Sequence, residues 1–318
     1  MILTFGNVYT YVNYIWQFTQ MSYISDEWQV ARRRKGVCRK FKSHQVPLNS
    51  PSCHQEQLDV GKLIRRIRDN MFELKYEDFW KDWNKNFQAA ATASLKPPGD
   101  SDTENQQEKA PEETMMCVCY GLGSFSSCVA ARYQLAMLLL LLDARQILLQ
   151  DCYVYDPAFS FAEKDVLREL GLTVLTENEE GKRLATKPTL FYLMHCGKAL
   201  YNNLLWKNWS LQGLSQVLII GNSFTGIKER TIERELKRDY SYISKAVDLC
   251  EERLLPCPSH QIDVFSDTAV ITFPLESLNR LTQSFWTEPP EPQYLDCSDL
   301  EITLRESSPS ETLLTGDS

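Results

Sequence analysis

Four short stretches of the chain bring together residue types that could hold a ligand. Gly121-Leu122-Gly123-Ser124-Phe125-Ser126 is a GxGxxS variant of the dinucleotide-binding fingerprint. Gly121 permits a tight turn and Gly123 lets backbone approach a bound group. The amides of the helix start, with Ser124, Ser126 and Ser127, could hold an anion. Ser126 stands where the third glycine belongs, and two glycines in a strand-to-helix turn also serve sterics alone. Tyr155-Asp156-Pro157 offers an acid where nucleotide-binding folds place the ribose hydroxyl acceptor. Asp156 follows Gly121 by 35 residues, whereas the fingerprint expects about 20. An Asp before Pro is equally a good helix opening.

Met194-His195-Cys196-Gly197 and Gly221-Asn222-Ser223-Phe224 complete the set. His195 and Cys196 are the residue types of a base and a nucleophile, but neighbours on a strand point to opposite faces and do not form a pair. His195 is read instead as lining a cleft, against the alternative of packing at a strand end. Asn222 and Ser223 can hydrogen-bond a ligand, and Gly221-Asn222-Ser223 is also common turn chemistry. No catalytic set emerges from these residues. The ten Cys contain no CxxC pair and no His/Cys spacing of a zinc site, so no metal is expected. Cys117, Cys119 and Cys152 sit inside apolar runs as small core residues, which points to a reducing compartment.

The elements that must position these turns begin near residue 115, where short apolar runs alternate with helical patterns, the signature of βαβ units. Strands are predicted at 116–120, 152–155, 172–175, 190–194, 217–220 and 269–273. Helices are predicted at 125–144, 162–170 and 198–206, with a long charged one from 228 towards 255. The fold class is therefore α/β, a three-layer, Rossmann-like, doubly wound and mostly parallel sheet with an N-terminal helical extension. In such sheets ligands settle outside the carboxyl ends of the strands, so the four turns should share one rim.

Around this domain, assigned to 115–305, lie an amphipathic helical segment at 58–95, a polar linker at 96–114 and an acidic tail at 306–318. Residues 1–57 read as an arm with a basic run at 32–42. The first 25 residues carry Asn7, Asn13, Gln17 and Gln20, too interrupted for a membrane helix and without the parts of a secretory signal. The expected location is therefore cytoplasmic, with access to the nucleus. With 43% hydrophobic residues the chain can bury a real core. Thirty-four Lys and Arg against 42 Asp and Glu give a net charge of −8. That balance excludes a surface built throughout for nucleic acid and leaves only the 32–42 run for such contact. The LYNNLLWKNWS stretch, with Asn202, Asn203, Trp206 and Trp209, fits either core closure or a partner surface.

VCYGLGSFSSCVAARYQLAMLLLLLDA, CYVYDPAFS, LGLTVLTENEEGKR, FYLMHCGKALYNNLLWKNWS, VLIIGNSFTGIKER and PQYLDCSDLEI occur in order from about 116 to 302. Together they resemble the Sensitivity-to-Red-light-Reduced family, in its animal branch. What the resemblance implies is regulatory: plant relatives act in red-light signalling and the circadian clock, and animal and fungal relatives are linked to haem biosynthesis and clock-gene expression. It implies no established reaction, cofactor or catalytic residue. The candidate ligand residues, Gly121, Gly123, Ser124, Ser126, Asp156, His195, Gly221 and Asn222, stand on the fold reading alone. The expectation is a regulatory protein with protein partners and a nucleotide-like ligand. The alternatives are an enzyme using S-adenosylmethionine or a dinucleotide, and a non-catalytic interaction module. Cys119, where methyltransferases often carry an acid, speaks against the methyltransferase form of the first.

Overall fold

The computed structural model of the chain describes residues 59–94, 114–286, 290–294, 297 and 300–305. The expected arm at 1–57 with its basic run, nearly all of the 96–114 linker and the tail at 306–318 lie outside them. Two helices come first, α1 (Val60–Tyr76) and α2 (Asp78–Ser94). Asp59 starts α1 by accepting the Lys62 N–H at 2.9 Å, which satisfies one of the donors a helix start leaves open. Then follow β1 (Met116–Tyr120), α3 (Val129–Ala144), β2 (Cys152–Tyr155), α4 (Phe161–Glu169), β3 (Thr173–Val174), β4 (Thr189–Leu193), α5 (Lys198–Lys207) and α6 (Leu211–Ser215). The remainder is β5 (Val217–Asn222), α7 (Phe224–Arg230), α8 (Glu233–Asp239), α9 (Ser241–Ala246), β6 (Glu251–Leu254), α10 (Ile262–Phe265), β7 (Thr268–Thr272) and α11 (Leu275–Asn279).

The strands form one mixed seven-stranded sheet in the order β3-β2-β1-β4-β5-β7-β6. The first five strands are mutually parallel, while β7 runs antiparallel to both β5 and β6. Side chains of the central strands alternate between two cores, as strand geometry requires. Cys117, Cys119, Leu190, Tyr192, Leu218 and Ile220 face one core, and Val118, Tyr120, Phe191, Leu193, Val217 and Ile219 the other. Burial on both sides explains why these strands read as continuous apolar runs.

The N-terminal helices are part of the first of these cores. Leu135 to Leu142 of α3 are buried all round because α1 covers the side that the sheet does not. Fully buried Trp83 of α2 donates its indole N–H to the Pro256 carbonyl at 2.8 Å and lies edge-on to Phe265. No helix among the described residues is long and apolar enough to cross a membrane.

The second half differs from the sequence expectation. The charged stretch 228–255 is not one helix but three short ones and an edge strand. Thr231 adopts extended backbone and Ile232 leaves the helical range between α7 and α8, so the acids Glu233 and Glu235 open a new first turn. Strand β6 was hidden by its own composition, because Glu251-Glu252-Arg253-Leu254 is mostly exposed at the sheet edge, where charge prevents further strand addition.

Candidate functional site

Strands β1, β2 and β4 end on one rim, at the place where neighbours of β1 leave in opposite directions along the sheet. A cavity of about 330 Å³ opens there, lined by Gly121 of the first turn, Asp156 of the second, His195 and Cys196 of the turn after β4, and Glu301 and Thr303 of a C-terminal strap. Of the eight candidate residues, Gly121, Asp156 and His195 reach this cavity; Gly123, Ser124, Ser126, Gly221 and Asn222 do not line it.

Gly121 and Gly123 both adopt left-handed backbone, with φ of 68° and 77°, which only glycine takes at little cost. They differ in surroundings. A Cβ on Gly121 would stand 2.5 Å from the Cys196 sulfur, whereas one on Gly123 would meet only the Ala131 methyl at 3.9 Å. Gly121 is thus required by a close approach within the protein, and Gly123 by conformation.

The donors of this turn are already engaged. Asp156, 7% exposed, accepts the Gly123 N–H on one oxygen and the Ala158 N–H on the other, each at 2.7 Å, tying the first turn to the second. Glu163, 1% exposed, accepts the Ser126 N–H and the Ser124 hydroxyl on Oε1 at 2.8 Å. Its Oε2 accepts the Ser160 N–H and hydroxyl at 2.9 Å, completing a capping box on α4. Burial pushes the Glu163 carboxyl up, but the Ser126 and Ser160 amides and the serine hydroxyls outweigh it and hold the group below its ordinary range. A protein carboxylate therefore occupies the place that an anionic ligand would take at this loop.

His195 sits just after β4 with φ of 52°. Its Nε2 lies 3.0 Å from the Ser266 carbonyl, so Nε2 carries the proton and Nδ1 accepts from the Gln134 amide at 3.4 Å. Cys196 turns instead to the Tyr120 carbonyl at 3.4 Å. Burial, with Asp156 and Glu301 nearby, drives its thiol far above the usual range, so it stays protonated rather than serving as a nucleophile. At the end of β5, a Cβ on Gly221 would strike the Tyr201 hydroxyl at 2.5 Å. The Asn222 N–H donates to that same hydroxyl at 2.8 Å. Gly221 and Asn222 thus hold α5 against the sheet.

Two parts of the site were not assigned from sequence. The first is Glu163; Ser160 and Glu163 have the spacing of a capping box, which was the available signal. The second is the strap. Tyr294 places its hydroxyl among Asn203 Oδ1 at 2.7 Å, the Asn202 amide at 3.1 Å and the Ala199 carbonyl at 3.2 Å. Further on, Asn178 donates to the Thr303 carbonyl at 2.6 Å, and Glu180 accepts the Arg305 N–H at 2.5 Å. Burial raises the Glu180 carboxyl, and the Lys182 ammonium and Arg305 N–H outweigh it to keep the group ionised. Buried Asn202 and Asn203 are thus the wiring that carries the strap: Asn202 also accepts the Tyr242 N–H at 3.0 Å, and Asn203 donates to the Glu180 carbonyl at 2.8 Å. Trp209 closes the core against Tyr242 and Phe285. Among the described residues no group of three or more His, Cys, Asp or Glu is placed to hold a metal.

Comparison with known proteins places the chain in a family. The SRR1 domain matches residues 83–272. An SRR1-like protein of Mus musculus is 41% identical over 232 residues, covering 68% of this chain and 91% of the relative. An SRR1-like protein of Drosophila melanogaster is 29% identical over 271 residues, 84% of this chain and 90% of the relative. The Arabidopsis thaliana protein SENSITIVITY TO RED LIGHT REDUCED 1 is 39% identical over 119 residues, 37% of this chain and 43% of its own. No solved structure matches the chain.

Proposed function

Because the chain belongs to the SRR1 domain family, we propose that it is a regulatory protein that works by holding a nucleotide-like small molecule in the cavity at the ends of β1, β2 and β4. In this reading the sheet is Rossmann-like. One observation carries the ligand: a 330 Å³ cavity coincides with the point where the strand order reverses, where open α/β sheets bind their ligands. A regulatory rather than catalytic role is supported by Cys196, whose thiol stays protonated, and by His195, whose two ring nitrogens are both committed within the protein. Regulation of haem biosynthesis and of clock-gene expression is the role that family resemblance supports, and the cytosol, with access to the nucleus, is the place the sequence reading gives it. The red-light phenotype in the plant relative's name agrees with a signalling context.

A second reading, an enzyme that uses S-adenosylmethionine, is favoured by the strand order. The reversed β7 lies between β5 and β6, an arrangement shared with methyltransferase folds, which is fold-level analogy.

The test uses Thr303→Trp, an exposed change that fills the mouth of the cavity from the strap. In cells lacking the protein, the unaltered chain should restore haem content and clock-gene transcript rhythm. The plugged variant should restore neither while unfolding at the same temperature in vitro. Full restoration by the plugged variant removes the cavity from the function.

A further inference from the structure

We infer that the ligand of this cavity is a phosphate-free nucleoside, uncharged or cationic, and not a nucleotide or dinucleotide; the inference rests on the reading of the cavity as a binding site. It begins with the glycine-rich turn. Dinucleotide folds place the pyrophosphate on the amides of that turn and of the helix after it. Here the Gly123 amide is spent on Asp156, and the Ser126 amide and Ser124 hydroxyl are spent on Glu163. A phosphate would have to expel a buried carboxylate that four donors hold ionised.

The rest of the wall excludes phosphate in the same way. Among the described residues its ionisable lining includes the carboxyl groups of Asp156, Glu180 and Glu301, with His195 and Cys196, and no lysine or arginine. The cations beside it are engaged within the protein: Arg305 of the strap donates its guanidinium Nε–H to the Asn178 carbonyl and its backbone N–H to Glu180. Lys182 lies 2.5 Å from Glu180 and 2.7 Å from Glu291. Arg183 pairs with Glu179 at 2.9 Å and stacks on Tyr153 with 4.5 Å to the ring centre. Helix α5 does offer donors, since it starts at Gly197 without a side-chain cap. The strap meets that end with its own negative charge: a Cβ on Gly197 would stand 3.1 Å from a Glu301 carboxylate oxygen. In a partly enclosed space such carboxylates repel a multiply charged anion and favour hydroxyls, amines and positive charge.

What the wall does offer suits a nucleoside. Asp156 uses one hydrogen bond on each oxygen, and a carboxylate has about four acceptor positions. Two therefore remain for a pair of hydroxyls at the place where such folds hold the ribose. Tyr120, Tyr155, Leu200 and Ile302 supply an aromatic and apolar wall for a base. The volume of about 330 Å³ is near the lower end of small-molecule sites, which run from roughly 300 to 1,000 Å³, and leaves no space for a second nucleotide.

The experiment is a melting and calorimetric titration of the full chain with five probes: adenosine, S-adenosylmethionine, ATP, NAD and inorganic phosphate. At on the order of a hundredfold excess over its dissociation constant, adenosine or S-adenosylmethionine should raise the melting temperature by about 5 °C or more. ATP, NAD and phosphate should leave it unchanged, and Thr303→Trp should abolish the nucleoside effect. Glu301→Lys, at an exposed position, should weaken S-adenosylmethionine by about tenfold and admit ATP. If ATP, NAD or phosphate binds the unaltered chain as tightly as the nucleosides, and Thr303→Trp blocks it, the inference is overturned while the binding site stands. If none of the five binds, or if binding survives in Thr303→Trp, both fall together.

Discussion

The turn after β1 and the turn after β4 lie side by side on one rim, each between a parallel strand and a helix. The first is filled by Asp156 and Glu163, whose oxygens take its amides and hydroxyls. The second leaves a cavity beside His195 and Cys196, bounded by the strap. Local backbone geometry does not separate them, because both place positive-φ residues at the strand end, Gly121 in one and His195 in the other. The difference comes from what arrives from elsewhere in the chain. Helix α4 delivers a short, buried carboxylate that fits the donors of the first turn; the strap delivers an exposed segment that spans the second without filling it. A glycine-rich strand-to-helix turn therefore specifies a set of donors, while tertiary structure decides whether a ligand or the protein itself satisfies them.

The strongest way to break this contrast is to empty the first turn. Glu163→Ala strands the Ser126 and Ser160 amides and two hydroxyls in a buried place and removes the cap of α4. The expected loss is about 3 kcal/mol of unfolding free energy, measured by urea titration. Thr303→Trp, on the open side, should cost less than about 0.5 kcal/mol, as surface changes do. Equal losses would erase the distinction between a filled and an open turn.

A finer version compares the two glycines. Gly121→Ala combines left-handed strain with a 2.5 Å approach to the Cys196 sulfur, for an expected loss of about 2 kcal/mol. Gly123→Ala has the strain without the collision and should lose about 1 kcal/mol. Adding Cys196→Ala should bring Gly121→Ala close to Gly123→Ala, a coupling that a double-mutant cycle reads directly.

The smallest effect is in pH. The folded Glu163 carboxyl titrates below the ordinary value of 4.5, so the unfolded chain takes up its proton first. Its contribution is complete above about pH 4.5 and is lost as pH falls through the lowered folded value. The stability gap between the unaltered chain and Glu163→Gln should therefore close on acidification from pH 6 to about 3. A gap that widens in acid would mean that the group is not held ionised by its serine partners.

Much of this was legible in the sequence because apolar strands buried on both faces stand out as runs. β1, β2, β4 and β5 were placed within a residue or two, and with them the rim that carries the cavity. Gly121, Asp156 and His195 lie at the cavity, as the sequence reading expects, because strand ends are predictable places. Apart from the local break at Thr231 and Ile232, the misses share a cause: each depends on contacts between segments far apart in the chain. Strand β6 exists only because β7 pairs with it in register Glu252 to Ile271, and its own residues look like helix. The engagement of Ser126 by Glu163 spans 37 residues and that of Asn178 by Thr303 spans 125. The Asn202-Asn203 pair resisted assignment for the same reason, since its partners include Tyr294 of the strap and Tyr242 of α9.

The most direct test of the filled and open turns is hydrogen exchange read peptide by peptide on the full chain, with and without S-adenosylmethionine. Ligand should slow exchange across 178–181, 195–200 and 301–303 and leave 124–127 unchanged. Protection that appears at 124–127 while 301–303 stays as it was would put the ligand on the glycine-rich turn and contradict the assignment.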